Sequence, residues 1–160
     1  MKKVYLIFLS MITIFFGCQS EINFQDPPEI IYGVDICDHC NMIISEARYA
    51  SSYITQDGKI RKFDDIGDMI LYHQINKESV EVFWIQSFDN EQWINANKAF
   101  FIDGLFITPM VHGIIAFSEE ENANSKASEF NLNVKSFEEI LSIDIEKKQE
   151  KIHKKNHKQQ

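Results

Sequence analysis

One pattern restricts the fold of this chain more than any other: two β-like runs around a glycine turn, then a helix, occurring twice. Tyr49 to Thr55 and Ile60 to Phe63 flank Gln56-Asp57-Gly58-Lys59, where Gly58 can take the positive φ a hairpin turn needs. Asp64 follows as the expected cap of a helix from Asp65 to Ile75, with Ile66, Met69 and Ile70 at helical spacing. The echo is Gly113, a strand from Ile114 to Phe117, and Ser118 before another helix, its spacing different by one residue. The pattern predicts an α+β protein of two similar strand-strand-helix units. Val80 to Ile85 is apolar on both faces apart from Glu81, as a central strand should be. Trp93-Ile94 and Ala99 to Ile102 read as a strand pair around Asn95-Ala96-Asn97. Ser118 with Glu121 reads as a capping box for a helix with Ala123, Ala127 and Phe130 inward. Ser136 with Glu139 opens a last short helix with Phe137, Ile140 and Leu141 inward.

The first residues stand outside this pattern. Lys2 and Lys3 precede an apolar run from Val4 to Phe16, broken only by Ser10 and Thr13, and Gly17-Cys18 closes it. That order is a signal peptide's, and the run falls short of the ~20 residues of a permanent span. A small residue directly before a cysteine resembles the lipobox of bacterial lipoproteins, although Phe15 stands where that pattern has Leu. The alternative is an ordinary secretory signal that contains a cysteine. On the lipoprotein reading, residues 1–17 are the signal peptide and Cys18 carries the lipid. Residues 18–30, with Pro27 and Pro28, form a tether, residues 31–145 the domain and residues 146–160 a basic flexible tail. The domain would face an oxidising space on the outer side of a bacterial membrane. Without Lys2 and Lys3 the chain carries 14 basic and 24 acidic residues, and six of those Lys lie in the last fifteen residues. So acidic a body excludes nucleic acid as a partner, because that affinity comes from neutralising phosphates. The tail reads as a solvated end, or as a contact for a lipid surface or loosely held metal.

Chemistry concentrates in Cys37-Asp38-His39-Cys40-Asn41-Met42. Two thiols and a thioether within six residues are soft donors, and Cu(I) suits thiolate plus thioether best. Two-residue spacing lets Cys37 and Cys40 converge, and an extended Met42 points the same way. A c-type haem is excluded, because Asn41 stands where the ligating His would follow. Structural zinc would need two more ligands, with only His39 near. A thioredoxin-like pair is the rival reading, with Thr108-Pro109 imitating a cis-proline loop. Its reactive cysteine should open a helix, whereas Met42-Ile43-Ile44 reads as strand. The second informative piece is Thr108-Pro109-Met110-Val111-His112-Gly113. There Met110 is either a gap-filler or a donor, and His112 is a lone loop histidine. Met69, within a helical apolar pattern, reads as core.

Taken together, Cys-x-x-Cys-x-Met, Arg48-Tyr49-Ala50, Asp57-Gly58-Lys59, Phe63-Asp64-Asp65-Ile66-Gly67-Asp68-Met69, Thr108-Pro109-Met110 and Ala116-Phe117 resemble the NosL family. The likeness runs in order from Tyr32 to Leu141. It implies an α+β fold of two ββαβ-type units sharing a core, a layout also found in the core of organomercurial lyase. It further implies a lipid-anchored chaperone, not an enzyme, that binds Cu(I) through sulfur and serves assembly of nitrous oxide reductase. By position, Cys40 and Met42 match the family's Cys-x-Met and Met110 its Pro-Met loop, while Cys37 matches the members with the longer Cys-x-x-Cys form. Cys37 would then be a second thiolate or a receiver of the ion during exchange. Asn41 replaces the usual Gly and His112 a usually small residue.

Overall fold

The computed structural model describes residues 23–150, so the signal peptide, Cys18 and the tail beyond 150 lie outside the described residues. Two antiparallel sheets carry the fold. β1 (Ser51–Thr55), β2 (Ile60–Phe63), β3 (Val80–Gln86) and β4 (Trp93–Asn95) form the first, in the order β2-β1-β3-β4. β5 (Phe100–Asp103), β6 (Ile114–Phe117) and β7 (Val134–Lys135) form the second, in the order β6-β5-β7. Helix α1 (Ile66–Asn76) joins β2 to β3, α2 (Glu120–Glu129) joins β6 to β7, and α3 (Phe137–Leu141) follows. Leaving β4 aside, the halves share one topology: a hairpin, a helix, and a third strand paired with the first strand of the hairpin. This is the twofold ββαβ arrangement expected from the sequence. Gly58 sits at φ +84°, and its N–H bonds to the Thr55 carbonyl at 2.8 Å, closing the β1–β2 turn.

Local details depart from the sequence reading where two residues compete for one role. The α1 cap is Asp65, whose side chain accepts from the Gly67 N–H, and Asp64 is left free to face the cysteines. The 93–95 and 100–103 strands do not pair with each other; β4 pairs with β3, and β5 lies in the second sheet. Between them Asn95 accepts from the Asn97 N–H and starts a 3-10 turn, Ala96–Lys98, that carries the chain across. Tyr49 belongs to another such turn, Ala47–Tyr49. Helix α2 is capped by Glu119 without a side-chain bond, while the Ser118 hydroxyl accepts from Asn90 at 3.3 Å. Phe130 is 52% exposed, edge-on to Phe106, rather than inward. The second capping box does form, with Ser136 and Glu139 bonding reciprocally. Residues 145–150 are helical, with Ile145 fully buried.

Strand alternation gives the second sheet two apolar faces. Phe101, Ile114 and Ala116 join Phe63, Ile66, Met69, Ile70 and Phe137 in a core shared by both halves. Ile102, Ile115 and Phe117 turn the other way, onto Ala123 and Ala127 of α2. Both halves therefore pack around the N-terminal turns of α1.

Candidate metal centre

The cysteine stretch is the tip of a small hairpin. Ile36 bridges Ile43, the Cys37 N–H donates to the Met42 carbonyl at 2.8 Å, and the Asn41 N–H donates to the Cys37 carbonyl at 3.0 Å. Closing so tight a turn puts Asn41 at φ +62°, a conformation Asn tolerates better than most residues and glycine tolerates freely. The tip is fixed to the β2 edge. Asp38 exchanges backbone and side-chain bonds with Lys62 (2.8 and 2.7 Å), and Asp35 binds the Lys62 ammonium at 2.7 Å. This docking sets both cysteines above the start of α1.

There Cys37, Cys40, Asp64 and Asp68 each place a ligand atom within 4.8 Å of the others. The Cys37 thiol donates to Asp68 Oδ2 at 3.3 Å and the Cys40 thiol to Asp64 Oδ1 at 3.4 Å. Cys37 and Asp68 are fully buried, Asp64 nearly so, and Cys40 half-buried. Burial pushes the Cys40 thiol up to about 12 and raises Cys37 as well. Asp64 is raised by burial, with the Asp68 charge adding to it. Burial acts upward on Asp68 too. The hydrogen bonds from His112 and Cys37 outweigh it, so this carboxyl lies below its usual range. Metal-free, the pocket holds protonated thiols against carboxylates, and an ion bound through thiolate must displace those protons.

The Thr108–His112 loop closes over the same helix turn. Asp65 Oδ2 accepts from the Thr108 hydroxyl at 2.5 Å and from the Met110 N–H at 3.1 Å. Val111 stands at φ +59°, costly for a β-branched residue, and its N–H bonds to the Thr108 carbonyl at 2.9 Å. His112, 1% exposed, directs Nε2 to Asp68 Oδ1 at 2.8 Å, and its Nδ1 meets Gln149 Nε2 at 3.3 Å. An acceptor at Nε2 and an amide donor at Nδ1 set the Nε2–H tautomer. The imidazole lies directly on Gly67, where an added β-carbon would come within 2.6 Å of its Cδ2.

The structure thus brings Cys37 and Cys40 together and stitches the backbone of Met110 to the same helix. Met42 stands opposite Cys37 across the hairpin and is 45% exposed, and Met110 is half-buried. His39 lies edge-on to Tyr72, outside the cluster. Sequence reasoning missed Asp64 and Asp68 as site residues: it gave Asp64 the role of helix cap and gave Asp68 none. Their spacing of four, one helical turn, is the signal that places both carboxylates on one side of the segment. They supply two of the donors that the zinc reading lacked. The arrangement opposes a thioredoxin-like reaction: the thiols are raised, Cys37 opens no helix, and the Thr108–Pro109 bond is trans.

Comparison with known proteins agrees with this architecture. The crystal structure of the copper chaperone NosL from Shewanella denitrificans superposes with a TM-score of 0.63 at 20% identity, covering 71% of this chain and 94% of that one. No curated protein matches the sequence. The NosL family profile matches residues 29–144, a range that takes in both sheets, the cysteine hairpin and the Met110 loop, and on that match the chain belongs to the NosL family.

Proposed function

We propose that this protein is an extracytoplasmic copper chaperone. It carries Cu(I) on sulfur and is held at a membrane surface by a lipid on Cys18. Cys37 and Cys40 supply thiolates, Met42 and Met110 neutral thioethers, and the acceptor is nitrous oxide reductase or its assembly machinery. The observation that carries the reading is the convergence of one buried and one half-buried thiol on the helix turn whose cap also holds the Met110 backbone. Family membership and the copper chaperone among its structural neighbours support it. Soft donors suit a soft monovalent ion, and thioethers bind without losing a proton. Asp64 and Asp68 take the thiol hydrogen bonds in the empty pocket, and a partly open Cys40 lets an incoming ligand approach before the old ones leave. The acidic body favours encounter with a basic acceptor surface.

Anaerobic Cu(I) titration, with X-ray absorption at the copper edge, tests this. One equivalent should bind with sulfur-only scattering. Cys40→Ser should abolish stoichiometric binding and Met110→Leu weaken it, whereas Met69→Leu, in the core, should leave it intact. Full affinity in Cys40→Ser would overturn the assignment. Acceptor identity is tested by copper transfer to purified copper-free nitrous oxide reductase, and membrane attachment by loss of lipid labelling in Cys18→Ser.

A further inference from the structure

We propose that the helical segment 145–150 is a clamp on the metal pocket, with Lys148 and Gln149 as positioning residues that act through His112 on Cys37. The segment lies just beyond the residues that match the family, 29–144. Ile145, fully buried, fixes its first turn to the core. From that base Lys148 bonds both the His112 carbonyl and Asp103, and Asp103 is itself tied to Lys135 at 3.0 Å. Gln149 meets Nδ1 of the same histidine at 3.3 Å. His112 is therefore held on its main chain and on its ring by one segment, with Gly67 against its opposite side.

From His112 the contacts run straight to the cysteine. Nε2 binds Asp68 Oδ1 at 2.8 Å, and Asp68 Oδ2 accepts from the Cys37 thiol at 3.3 Å. Asp68 and Cys37 are fully buried and His112 is 1% exposed, so no water competes for these bonds. Orienting a site residue from behind through a hydrogen-bonded neighbour is how metal pockets are commonly tuned. The clamp holds Cys37 in its cradle, slowing its reaction when the pocket is empty and its surrender of an ion when loaded. The second consequence rests on the proposed copper reading, and the first does not.

The test uses the full chain, reduced and metal-free, with iodoacetamide labelling of Cys37 and Cys40 followed by mass spectrometry. In the Lys148→Ala/Gln149→Ala double variant, Cys37 should label about tenfold faster, the factor one buried hydrogen bond is worth. The Nδ1 resonance of His112 should shift as its contact with Gln149 is lost, while Nε2 stays bonded to Asp68. Lys148→Arg, which keeps both bonds within reach, should behave as the parent. Lys147→Ala should change nothing, since Lys147 pairs with Asp144 at 2.6 Å instead. Chelator-driven Cu(I) release should quicken with Cys37 labelling. Unchanged Cys37 labelling in the double variant, or equal acceleration in Lys147→Ala, would overturn the clamp. If the parent takes up no copper, the chaperone reading fails while the labelling still decides the clamp.

Discussion

Replacing Gly67 with Ala should destabilise the metal-free protein, although the same change favours a helix almost everywhere else. Gly67 lies in the first turn of α1, where exchanging Gly for Ala normally gains about 0.5–1 kcal/mol. Here the new methyl would press into Cβ, Cγ and Cδ2 of His112. The ring has little room to retreat: Asp68 holds Nε2, Gln149 faces Nδ1 and Lys148 grips the carbonyl. Overpacking against so constrained a neighbour costs about 1–3 kcal/mol, so the net effect is a loss of up to about 2.5 kcal/mol. A double-mutant cycle isolates the cause. His112→Ala alone strips a buried carboxylate of its partner and costs about 3 kcal/mol. In that background the clash is gone and Gly67→Ala should become stabilising by up to about 1 kcal/mol. The change of sign implies a coupling equal to the clash itself, about 1–3 kcal/mol. Urea denaturation of the four proteins, reduced and metal-free, measures it. A stabilising Gly67→Ala in the parent, or one sign in both backgrounds, would refute the packing of His112 on this glycine.

Other expectations concern titration and strain. Cu(I) affinity should rise with pH, because burial holds both thiols protonated. Two released protons give about a hundredfold per pH unit near neutrality and one gives about tenfold, so competition titrations on Cys37→Ser should show the shallower slope. Glu78, doubly bonded by Arg61 at 2.6 and 3.2 Å, has its carboxyl lowered by that guanidinium. A lowered carboxyl stabilises the fold above its ordinary value of 4.5 and loses that contribution as pH falls through the folded value. Glu78→Gln should therefore cost about 1–2 kcal/mol at neutral pH, and its urea midpoint should converge with the parent's in acid. Val111→Gly should raise the melting temperature, since relieving the left-handed strain, about 1–3 kcal/mol, exceeds the entropy glycine adds to the unfolded chain. A lowered melting temperature would show that the loop does not hold that conformation.

The repeated unit was legible because hairpin turns and helical spacing are local signals, and Gly58, Met69 and the Ser136–Glu139 box behave as their neighbours dictate. What the sequence left hidden depends on contacts between distant segments. Two adjacent aspartates can each cap α1; the choice of Asp65 is made by Thr108 and Met110, more than forty positions away, and it frees Asp64 for Cys40. β4 and β5 are close in sequence, yet the turn at Ala96–Lys98 sends them to different sheets. The cysteine pair announced itself by soft-donor chemistry, whereas Asp68 and His112 are ordinary polar residues until folding buries them against each other. The segment at 145–150, rich in Glu and Lys, gave no apolar period beyond Ile145 to mark its docking.

The two halves meet at the pocket. The hairpin and α1 of the first half contribute Cys37, Cys40, Asp64 and Asp68, while the connection between β5 and β6 of the second contributes Thr108 to His112. On the proposed ligand set, which draws Met110 from the second half, an ion lodged there would crosslink the two. A chain with only one half folded would then lack part of that set. Capture would then report that both halves are in place, and loading should raise the melting temperature of the whole fold.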